Sequence, residues 1–432
     1  MKKATYISLF ALAASLHAGE TISEALKNTQ ISGYAKLMYI FDDRKGPKLD
    51  QSTWGAGGKI GATSGDWHGL KAKIAYYQTS DLGLRSKNPK ETDAYMFDVD
   101  KSPYSVIGEK YIEYSAKQNT VTLGRQEIDT PIISTYDYRI IPNLFEAYTL
   151  TNKNIKDTTL TLSYVTKMSG LDGLVSFKKF ESMSEQTYTS LNTTTDLQTI
   201  DNGESTINVS KISGHQGVIM LGALIDANPK ISLWNYYCKD VSNTFYAEGA
   251  IEQKITEKLA ATYEAQGYSV RAIGKFKDFL SSLGLNGSYE LYGLKSSIAH
   301  KESGISGYIA ANLFTGDSKT VTAFGNWGGY PEFVSIPYMF AQDSSVSAAA
   351  RLKAAKAAIK YEISSKQSIV AGYSYIDLDK NIMSNSDIKL LNLIYKAKIM
   401  KALSAKIQYE LRDSKNYRYD NDMLTLSATY TF

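Results

Sequence analysis

The sequence predicts an all-β protein, a transmembrane antiparallel up-and-down β-barrel of 18 strands, with 16 strands as the alternative count. Three observations predict this fold. Apolar and polar residues alternate along most of the chain, short connections alternate with long ones, and the last alternating segment ends on an aromatic residue, Phe432. Alternation with a period of two indicates strands that have one apolar face and one wet face.

The alternation is clearest in the last segment of the chain. Leu424, Leu426, Ala428, Tyr430 and Phe432 share one face, and threonine or serine residues separate them. Aromatic residues often end such an apolar set, which is typical of a girdle at a membrane interface. The same pattern predicts strands over 30–41, 53–63, 70–78, 107–116, 120–126, 145–151, 158–167, 215–225, 231–238, 243–252, 258–268, 287–300, 305–314, 345–362, 367–377, 387–399, 403–413 and 422–432. The weakest pattern lies in 269–300, where residues 275–279 could be loop or strand, and this stretch is the reason for the lower count.

The connections between these strands provide an independent signal. Those after even-numbered strands are short, whereas most after odd-numbered strands are long or polar, as at 79–106, 127–144, 168–214, 269–286 and 315–344. Short periplasmic turns and long extracellular loops are the arrangement of bacterial outer-membrane barrels. We leave the Ser/Thr/Asn-rich segment 168–214 without assigned structure.

The first residues predict export. Lys2 and Lys3 precede a 13-residue apolar run over 4–16, which is too short to span a bilayer and is typical of a cleaved signal peptide, residues 1–18. Residues 19–29 follow as a short periplasmic segment that could form one amphipathic helix, and residues 30–432 form the barrel. The expected location is therefore the bacterial outer membrane.

Composition excludes several other classes of protein. The single cysteine, Cys238, rules out an internal disulfide scaffold, and a net charge of +4 argues against nucleic acid as a partner. No later apolar run reaches 18 residues, so no transmembrane helix is predicted. The histidines are far apart and no catalytic motif accompanies them, so we expect no enzyme, no cofactor and no metal. A hydrolase acting through His215 is a weaker alternative.

Charged residues on the polar face of the strands predict the lining of a pore. Gly55, Gly57 and Gly61 share this face with Lys59 and are expected to keep the wall thin. In strands one to three and sixteen to eighteen, which meet across the barrel closure, the polar face carries a basic wall formed by Lys36, Lys59, Lys71, Lys73, Lys396, Lys398, Lys406 and Arg412, with Glu410 among them. The opposing acidic wall is formed by Glu113, Glu248, Glu252 and Glu264.

Two such walls would create a transverse field that attracts and orients small charged solutes. The alternative, that these side chains are the ordinary lining of a wet pore, stays open, because one register slip reverses the faces of a strand. Strand fourteen could turn either Arg351 and Lys353 or Lys356 and Lys360 inward.

The third long connection has an apolar centre that an exposed loop would not favour. Ile132, Ile133, Ile140 and Ile141 lie between two prolines, which predicts a loop folded into the barrel. Its pattern G-R-Q, T-P, D-x-R, P and F-E over 124–146 resembles the OprD-type porins, a family of substrate-specific outer-membrane channels. Residues 31–36, 54–57 and 81–85 support the resemblance, and residues 30–85 and 120–150 carry its specific motifs.

The resemblance implies an 18-stranded, monomeric pore that the third loop narrows, with Arg125, Asp137 and Arg139 near the constriction. It also implies passive diffusion of small hydrophilic solutes that bear a carboxylate, such as amino acids or small organic acids. This chain has mostly lysine where the family favours arginine, which weakens bidentate carboxylate recognition and leaves a general ion-conducting porin open. A surface-display or adhesion barrel acting through 168–214 is a further alternative.

The expected partners follow from this interpretation. They are outer-membrane lipid, the solutes themselves and, in transit, periplasmic chaperones and the barrel-assembly machinery, whose signal the terminal Phe432 resembles. A monomer is favoured over a trimer.

Overall fold

The computed structural model describes residues 21–93, 96–136, 138–170, 175–191, 205–322, 324–334, 351–378, 387–415 and 420–432. The expected signal peptide lies outside these ranges. Strands dominate the described residues: β1 (Gln30–Arg44), β2 (Gln51–Thr63), β3 (Leu70–Ser80), β4 (Ser105–Ala116), β5 (Asn119–Gln126), β6 (Leu144–Asn152), β7 (Thr158–Ser169), β8 (Glu181–Ser182), β9 (Tyr188–Leu191), β10 (Ser205–Asn208), β11 (Val218–Ile225), β12 (Lys230–Cys238), β13 (Ser242–Lys254), β14 (Leu259–Ala272), β15 (Ser288–His300), β16 (Ile305–Phe314), β17 (Lys353–Ser364), β18 (Gln367–Asp377), β19 (Ile388–Lys398), β20 (Leu403–Ser414) and β21 (Asn421–Thr431).

Eighteen of the described strands form one closed antiparallel barrel. Strands β1 to β7 pair in sequence, β7 then pairs with β11, and β11 to β21 continue in sequence. The barrel closes where β21 pairs with β1, with Tyr34 opposite Thr431 and Arg44 opposite Asn421. The predicted count of 18 is confirmed. The strands β8, β9 and β10 belong to the long connection between β7 and β11.

The expected alternation of short and long connections defines the two ends of the barrel. Short turns such as 64–69, 117–118, 153–157 and 399–402 lie at one end, called the short-turn end below. The described parts of the connections 81–104, 127–143, 170–217, 273–287 and 315–352 lie at the other, the long-loop end. The connection 127–143 is called the third loop.

Three α-helices accompany the described strands: α1 (Ile22–Lys27), α2 (Ser210–Ser213) and α3 (Gly274–Ser282). Thr21 and Glu24 form a capping box at the start of α1, and the amide of Gly65 in the first short turn donates to the carbonyl oxygen of Ala25. The short helix expected before the first strand is therefore present and docked. None of the helices described is long and apolar enough to cross a bilayer.

Two expectations are wrong in detail. The fourteenth barrel strand, β17, begins at Lys353 rather than at 345, because Arg351 has a φ of +57°, which a strand does not accept. Residues 335–350 lie outside the described part of the chain. Residues 275–279 are neither loop nor strand but lie within α3, where Phe276 and Leu280, one helical turn apart, are both buried.

The barrel interior contains two apolar clusters. The first, called the β1–β4 cluster, joins inward residues of those strands, such as Met38 and Tyr77, to Phe97 and Phe177 from the long loops. The second, called the β11–β16 cluster, joins inward residues such as Tyr236 and Leu291 to residues of several connections at the long-loop end. The third loop contributes Ile128, Ile132 and Ile133 to the second cluster and Ile140 and Ile141 to the first. It therefore crosses the interior, and the expected inward fold is confirmed.

Candidate functional site: the inner wall and the third loop

Glycines of β2 receive one end of the third loop. A Cβ atom on Gly55 would lie 2.9 Å from Cδ1 of Ile140, and one on Gly57 would lie 2.6 Å from Cγ2 of the same residue. The hydroxyl of Tyr34 donates a 2.7 Å hydrogen bond to the carbonyl oxygen of Ile140. The wall is thin at these glycines because the loop occupies the space that side chains would fill.

The connection 315–352 holds the other end of the third loop. The amide of Trp327 donates to the carbonyl oxygen of Ile132 at 2.9 Å, and the amide of Ser134 donates to the carbonyl oxygen of Trp327 at 3.0 Å. The Trp327 indole is fully buried, and its Nε1 donates a 2.7 Å hydrogen bond to the carbonyl oxygen of Met183. These contacts, called the Trp327 clamp, could not be predicted from the sequence, because the residues that form them are distant along the chain.

Arg139 lies in the third loop but does not line an open passage. Its side chain is buried, Nη2 donates to the Tyr104 hydroxyl at 3.2 Å, and the guanidinium lies 4.5 Å from the centre of the Phe177 ring. Its backbone carbonyl oxygen accepts a 2.7 Å hydrogen bond from Nζ of Lys36. The expected position at the constriction is corrected, because the side chain turns towards the long loops and fastens them together.

Arg125 is also placed differently from the expectation. It lies on the face of β5 that carries the exposed Leu123, opposite Glu146 of β6, with 3.5 Å between its Nε and Oε2 of that glutamate. The ring of Phe180 lies 4.0 Å from its guanidinium. Arg125 therefore faces outward, because the last residues of β5 keep the alternation of the strand. Asp137, the third expected residue, lies outside the described part of the chain.

The basic wall faces inward, but part of it is already neutralised. On β2 and β3, the ammonium groups of Lys59 and Lys73 lie 2.6 and 2.7 Å from the carboxylate of buried Glu109. Glu127 of the third loop lies 3.1 Å from Lys59, and the Tyr77 hydroxyl, which can donate its one proton to either glutamate, lies 2.8 Å from an oxygen of each. These charges form one network at the first residue of the third loop, with Glu109 buried at its centre.

The sequence missed Glu109 for a physical reason. The register between β3 and β4 shifts between Ala75 and Tyr76, so that Ile107 is exposed outward while Glu109, two residues on, is buried and paired with inward lysines. A β-bulge reverses the faces of a strand beyond it. Regular alternation from Ile107 would have placed Glu109 outside.

Arg412, another member of the expected basic wall, is buried and already bonded to neighbouring side chains. Its Nη2 lies 2.9 Å from Glu410, and its Nη1 donates to Asn421 at 3.1 Å. Asn392 and Gln408 donate to the same glutamate. This arginine stabilises the wall beside the barrel closure and has little capacity left for a solute.

The remaining lysines of the wall form a positive patch towards the short-turn end. Lys396 of β19 lies directly opposite Lys406 of β20, on the inward faces of both strands. Neither Lys396 nor Lys398 has a carboxylate oxygen within 4.0 Å among the described residues. The ammonium of Lys406 lies 5.6 Å from the ring of Tyr138, a residue of the third loop. Lys71 lies opposite Glu113 on β4.

The structure decides the open question on the fourteenth strand. Ile359 and Tyr361 of β17 are exposed on its outer face, so Lys356 and Lys360 point inward and Lys353 points outward. Lys360 is paired with Glu362. Lys356 is buried beside Gly372, where an added Cβ would lie 3.3 Å from the lysine Cε.

The four residues of the expected acidic wall differ in position and in their partners. Glu248 and Glu252 share the inward face of β13, and Glu248 accepts a 2.6 Å hydrogen bond from Tyr246. Glu264 of β14 forms a 2.5 Å ion pair with Lys295 of β15, a residue in the stretch of weakest alternation that the sequence did not select. Glu113 is corrected: it lies beside the basic wall, because β4 is the direct neighbour of β3.

The end of the chain completes the barrel closure. The amide of Gly33 donates to the carbonyl oxygen of Phe432 at 2.9 Å, and the amide of Phe432 donates back at 3.1 Å. The Phe432 ring is half exposed and stacks on Tyr430 with 6.3 Å between ring centres.

The described residues contain no cluster of three or more histidine, cysteine, aspartate or glutamate side chains that could hold a metal ion. The loop histidine His215 has Glu185 at 3.1 Å and Ser182 at 3.4 Å, but both contact the same atom, Nδ1. A catalytic relay needs the acid and the nucleophile on different ring nitrogens. This arrangement therefore does not support the alternative of a hydrolase.

Solved structures share this architecture. The chain is similar to OccK9 (OpdG) of Pseudomonas aeruginosa, with 16% identity, 94% of this chain and 99% of that chain covered and a TM-score of 0.74. It is similar to a BenF-like porin from Pseudomonas fluorescens, with 14% identity, 94% and 99% coverage and a TM-score of 0.73. It is also similar to OpdK of Pseudomonas aeruginosa, solved with vanillate, with 12% identity, 94% and 99% coverage and a TM-score of 0.70.

No protein-family model matches this sequence, and no curated protein matches it either. Identities of 12% to 16% establish the architecture and not the solute. The resemblance seen in the sequence is confirmed in the fold, and the chain has the eighteen-stranded barrel architecture of the OprD-type porins.

Proposed function

We propose that this chain is a bacterial outer-membrane channel through which small hydrophilic solutes that bear a carboxylate diffuse passively. The observation that carries the proposal is the inward pair Lys396 and Lys406, directly opposite each other on neighbouring strands. Like charges in directly opposite positions destabilise a sheet. A passing carboxylate offsets this repulsion, so the pair favours anions in a water-filled interior.

The outer surface supports the placement in a membrane. Large apolar and aromatic side chains such as Leu294, Ile309 and Tyr148 are more than half exposed on the outer faces of their strands. Soluble proteins rarely expose contiguous apolar surface on this scale, whereas the lipid-facing belt of an outer-membrane barrel requires it. A cleaved signal peptide, residues 1–18, would deliver the chain there.

The chemistry of these two lysines also bears on selectivity. Lysine carries a point charge and does not hold a carboxylate in the two-pronged geometry of arginine. The one arginine among the expected wall residues, Arg412, is already bound to Glu410. We therefore infer a channel that favours small monocarboxylates as a class and discriminates weakly among them. The solved OpdK structure with vanillate, an aromatic carboxylate, is consistent with this class.

Planar-bilayer recordings under a KCl gradient test the proposal. The purified barrel should form discrete channels with an anion-favouring reversal potential, and K396Q/K406Q should move that potential towards cations. The matched control K366Q/K401Q removes two lysines from the short turns and should leave the potential nearly unchanged. A wild-type preparation without discrete channels would overturn the proposal as a whole.

Liposome swelling then separates the two pore hypotheses. A carboxylate-favouring channel admits acetate and benzoate faster than neutral solutes of equal size, and K396Q/K406Q reduces the difference. A general porin admits both classes according to size alone. A surface-display function would depend on the loop 168–214, of which residues 171–174 and 192–204 lie outside the described part of the chain.

A further inference from the structure

A row of charged residues crosses the outer face of four strands near the long-loop end. Lys110 of β4 lies opposite Arg125 of β5, Arg125 lies opposite Glu146 of β6, and Glu146 lies opposite Lys167 of β7. The registers of three successive strand pairs thus place these four residues side by side. The row contains three cations and one carboxylate, and is called the outer basic row below.

The same registers show that this row faces away from the interior. Its neighbours two or three residues closer to the short-turn end are Ile112, Leu123, Tyr148 and Tyr164, which form a second row across the same strands. All four are between 45% and 53% exposed. Side chains two residues apart on one strand lie about 7 Å apart. The outer basic row therefore borders the exposed apolar side chains of the outer face, on the side of the long-loop end.

The row retains positive charge for an external ligand. Arg125 is held by Glu146, with 3.5 Å between Nε and Oε2, and by the face of the Phe180 ring. Lys110 and Lys167 are exposed, and neither has a carboxylate oxygen within 4.0 Å among the residues that the structure describes. The ammonium of Lys110 thus lies beside an arginine whose orientation is already fixed, and Lys167 lies on the far side of Glu146.

An apolar groove lies below the row on the same side of the barrel. It has a volume of about 470 Å³, and Leu150, Leu160, Leu162, Leu221, Leu233 and Phe245 line it. Ala223, a small residue, lies among these larger side chains. Leu150 follows Glu146 by four positions on β6, and Leu162 precedes Lys167 by five on β7. At about 3.3 Å per residue, roughly 15 Å separates the groove from the row, a span suited to one acyl chain.

We propose that this wall binds a phosphorylated, acylated lipid of the outer leaflet, with its phosphate on Lys110, Arg125 and Lys167 and one acyl chain in the groove. Charge-assisted hydrogen bonds from lysine and arginine are strong ligands for phosphate oxygens. A basic cluster at the edge of an apolar belt is where an anionic headgroup meets its hydrocarbon. The inference rests on the proposed function for its membrane location, but not on the transport of any solute.

Native mass spectrometry of the detergent-purified barrel, titrated with diphosphoryl lipid A, tests the site. The wild type should retain one lipid A molecule per barrel, and dephosphorylated lipid A should bind at least fivefold more weakly. The variant K110Q/K167Q should weaken binding of diphosphoryl lipid A at least fivefold. The control K153Q/K156Q removes two lysines from the short turn between β6 and β7 and should change the affinity less than twofold.

The groove has its own variant. A223F fills it with a larger side chain outside the barrel wall, and should weaken lipid A binding without changing binding of inorganic phosphate. Equal affinity of the wild type and K110Q/K167Q for lipid A would overturn the proposal, and so would binding that does not depend on the phosphates. If A223F binds lipid A as tightly as the wild type does, the groove is not the binding site of the acyl chain.

Conductance separates this inference from the proposed function. A barrel that conducts ions but binds lipid A without regard to its phosphates contradicts the lipid site alone. A barrel that retains lipid A through the row but forms no channels supports the lipid site and contradicts the channel.

Discussion

The ammonium of Lys36 on β1 donates a 2.7 Å hydrogen bond to the backbone carbonyl oxygen of Arg139 in the third loop. This contact joins the basic wall directly to the segment that crosses the barrel interior. The lysine thus contributes to the position of the loop as well as to the charge of the wall.

We expect K36M to loosen the third loop. A hydrogen bond from a charged donor contributes about 1.5–3 kcal/mol, and its loss should leave that end of the loop held mainly by Ile140 and Tyr34. Single-channel recordings should show noisier open-state current. The control K398M removes the same charge from a lysine of the same wall that makes no hydrogen bond or ion pair with the described residues of the loop, and it should not raise the noise. Equal noise in the two variants would contradict a positioning role for Lys36.

Gly55 should not tolerate a side chain. Its Cβ would lie 2.6 Å from the Met96 sulfur and 2.9 Å from Cδ1 of Ile140, so G55V should destabilise the barrel by about 1–3 kcal/mol. Urea unfolding followed by tryptophan fluorescence measures the loss. The double variant G55V/I140A should recover part of it. G249V is the control, since a Cβ on Gly249 meets no atom within 4 Å.

Trp327 should be important for the rigidity of the interior. W327A removes a fully buried indole and should cost about 3–5 kcal/mol, whereas W327F loses mainly the hydrogen bond to Met183 and should cost about 0.5–1.5 kcal/mol. Limited proteolysis of the folded barrel should cleave the third loop faster in W327A than in W327F. Identical protection in the two variants would show that the clamp depends on the backbone contacts alone.

Glu109 should be required to neutralise the wall at the foot of the third loop. E109Q leaves the buried ammonium groups of Lys59 and Lys73 without their shared carboxylate, and removing one partner of a buried ion pair costs about 3–5 kcal/mol. Unfolding in urea should show that loss, and the reversal potential should move towards anions. E362Q, which breaks a more exposed pair with Lys360, should cost at most about 1 kcal/mol. E109Q/K73M should be more stable than E109Q.

The sequence was sufficient for the barrel because alternation is a local property. Each strand has to present an apolar face to lipid and a polar face inward. The pattern from Leu424 to Phe432 therefore predicts both that β21 is a strand and which of its side chains face outward. The same reasoning placed Lys396 and Lys406 on the inner face. It failed at Glu109, where a bulge reverses the faces, and at Lys295, where the pattern is too weak to give a register.

The contacts of the side chains in the third loop could not be predicted from the local sequence. The four isoleucines indicated a buried loop, but not that two of them enter one interior cluster and two enter the other. Arg125 and Arg139 were grouped by a motif, yet one faces outward and the other is buried among the long loops. The direction of a loop side chain depends on neighbours such as Tyr104 and Phe177, which are distant in sequence.

The sequence by itself determined the fold class, the eighteen strands, the inward third loop and the faces of most strands, because each follows from a two-residue period or from the composition of one segment. Only the tertiary structure decided which inward charges remain available. Among the residues described, Lys59, Lys73 and Arg412 each lie within ion-pair distance of a carboxylate, whereas Lys396 and Lys398 do not. Pairing depends on the distance between side chains, and that distance is fixed by register, bulges and loop packing.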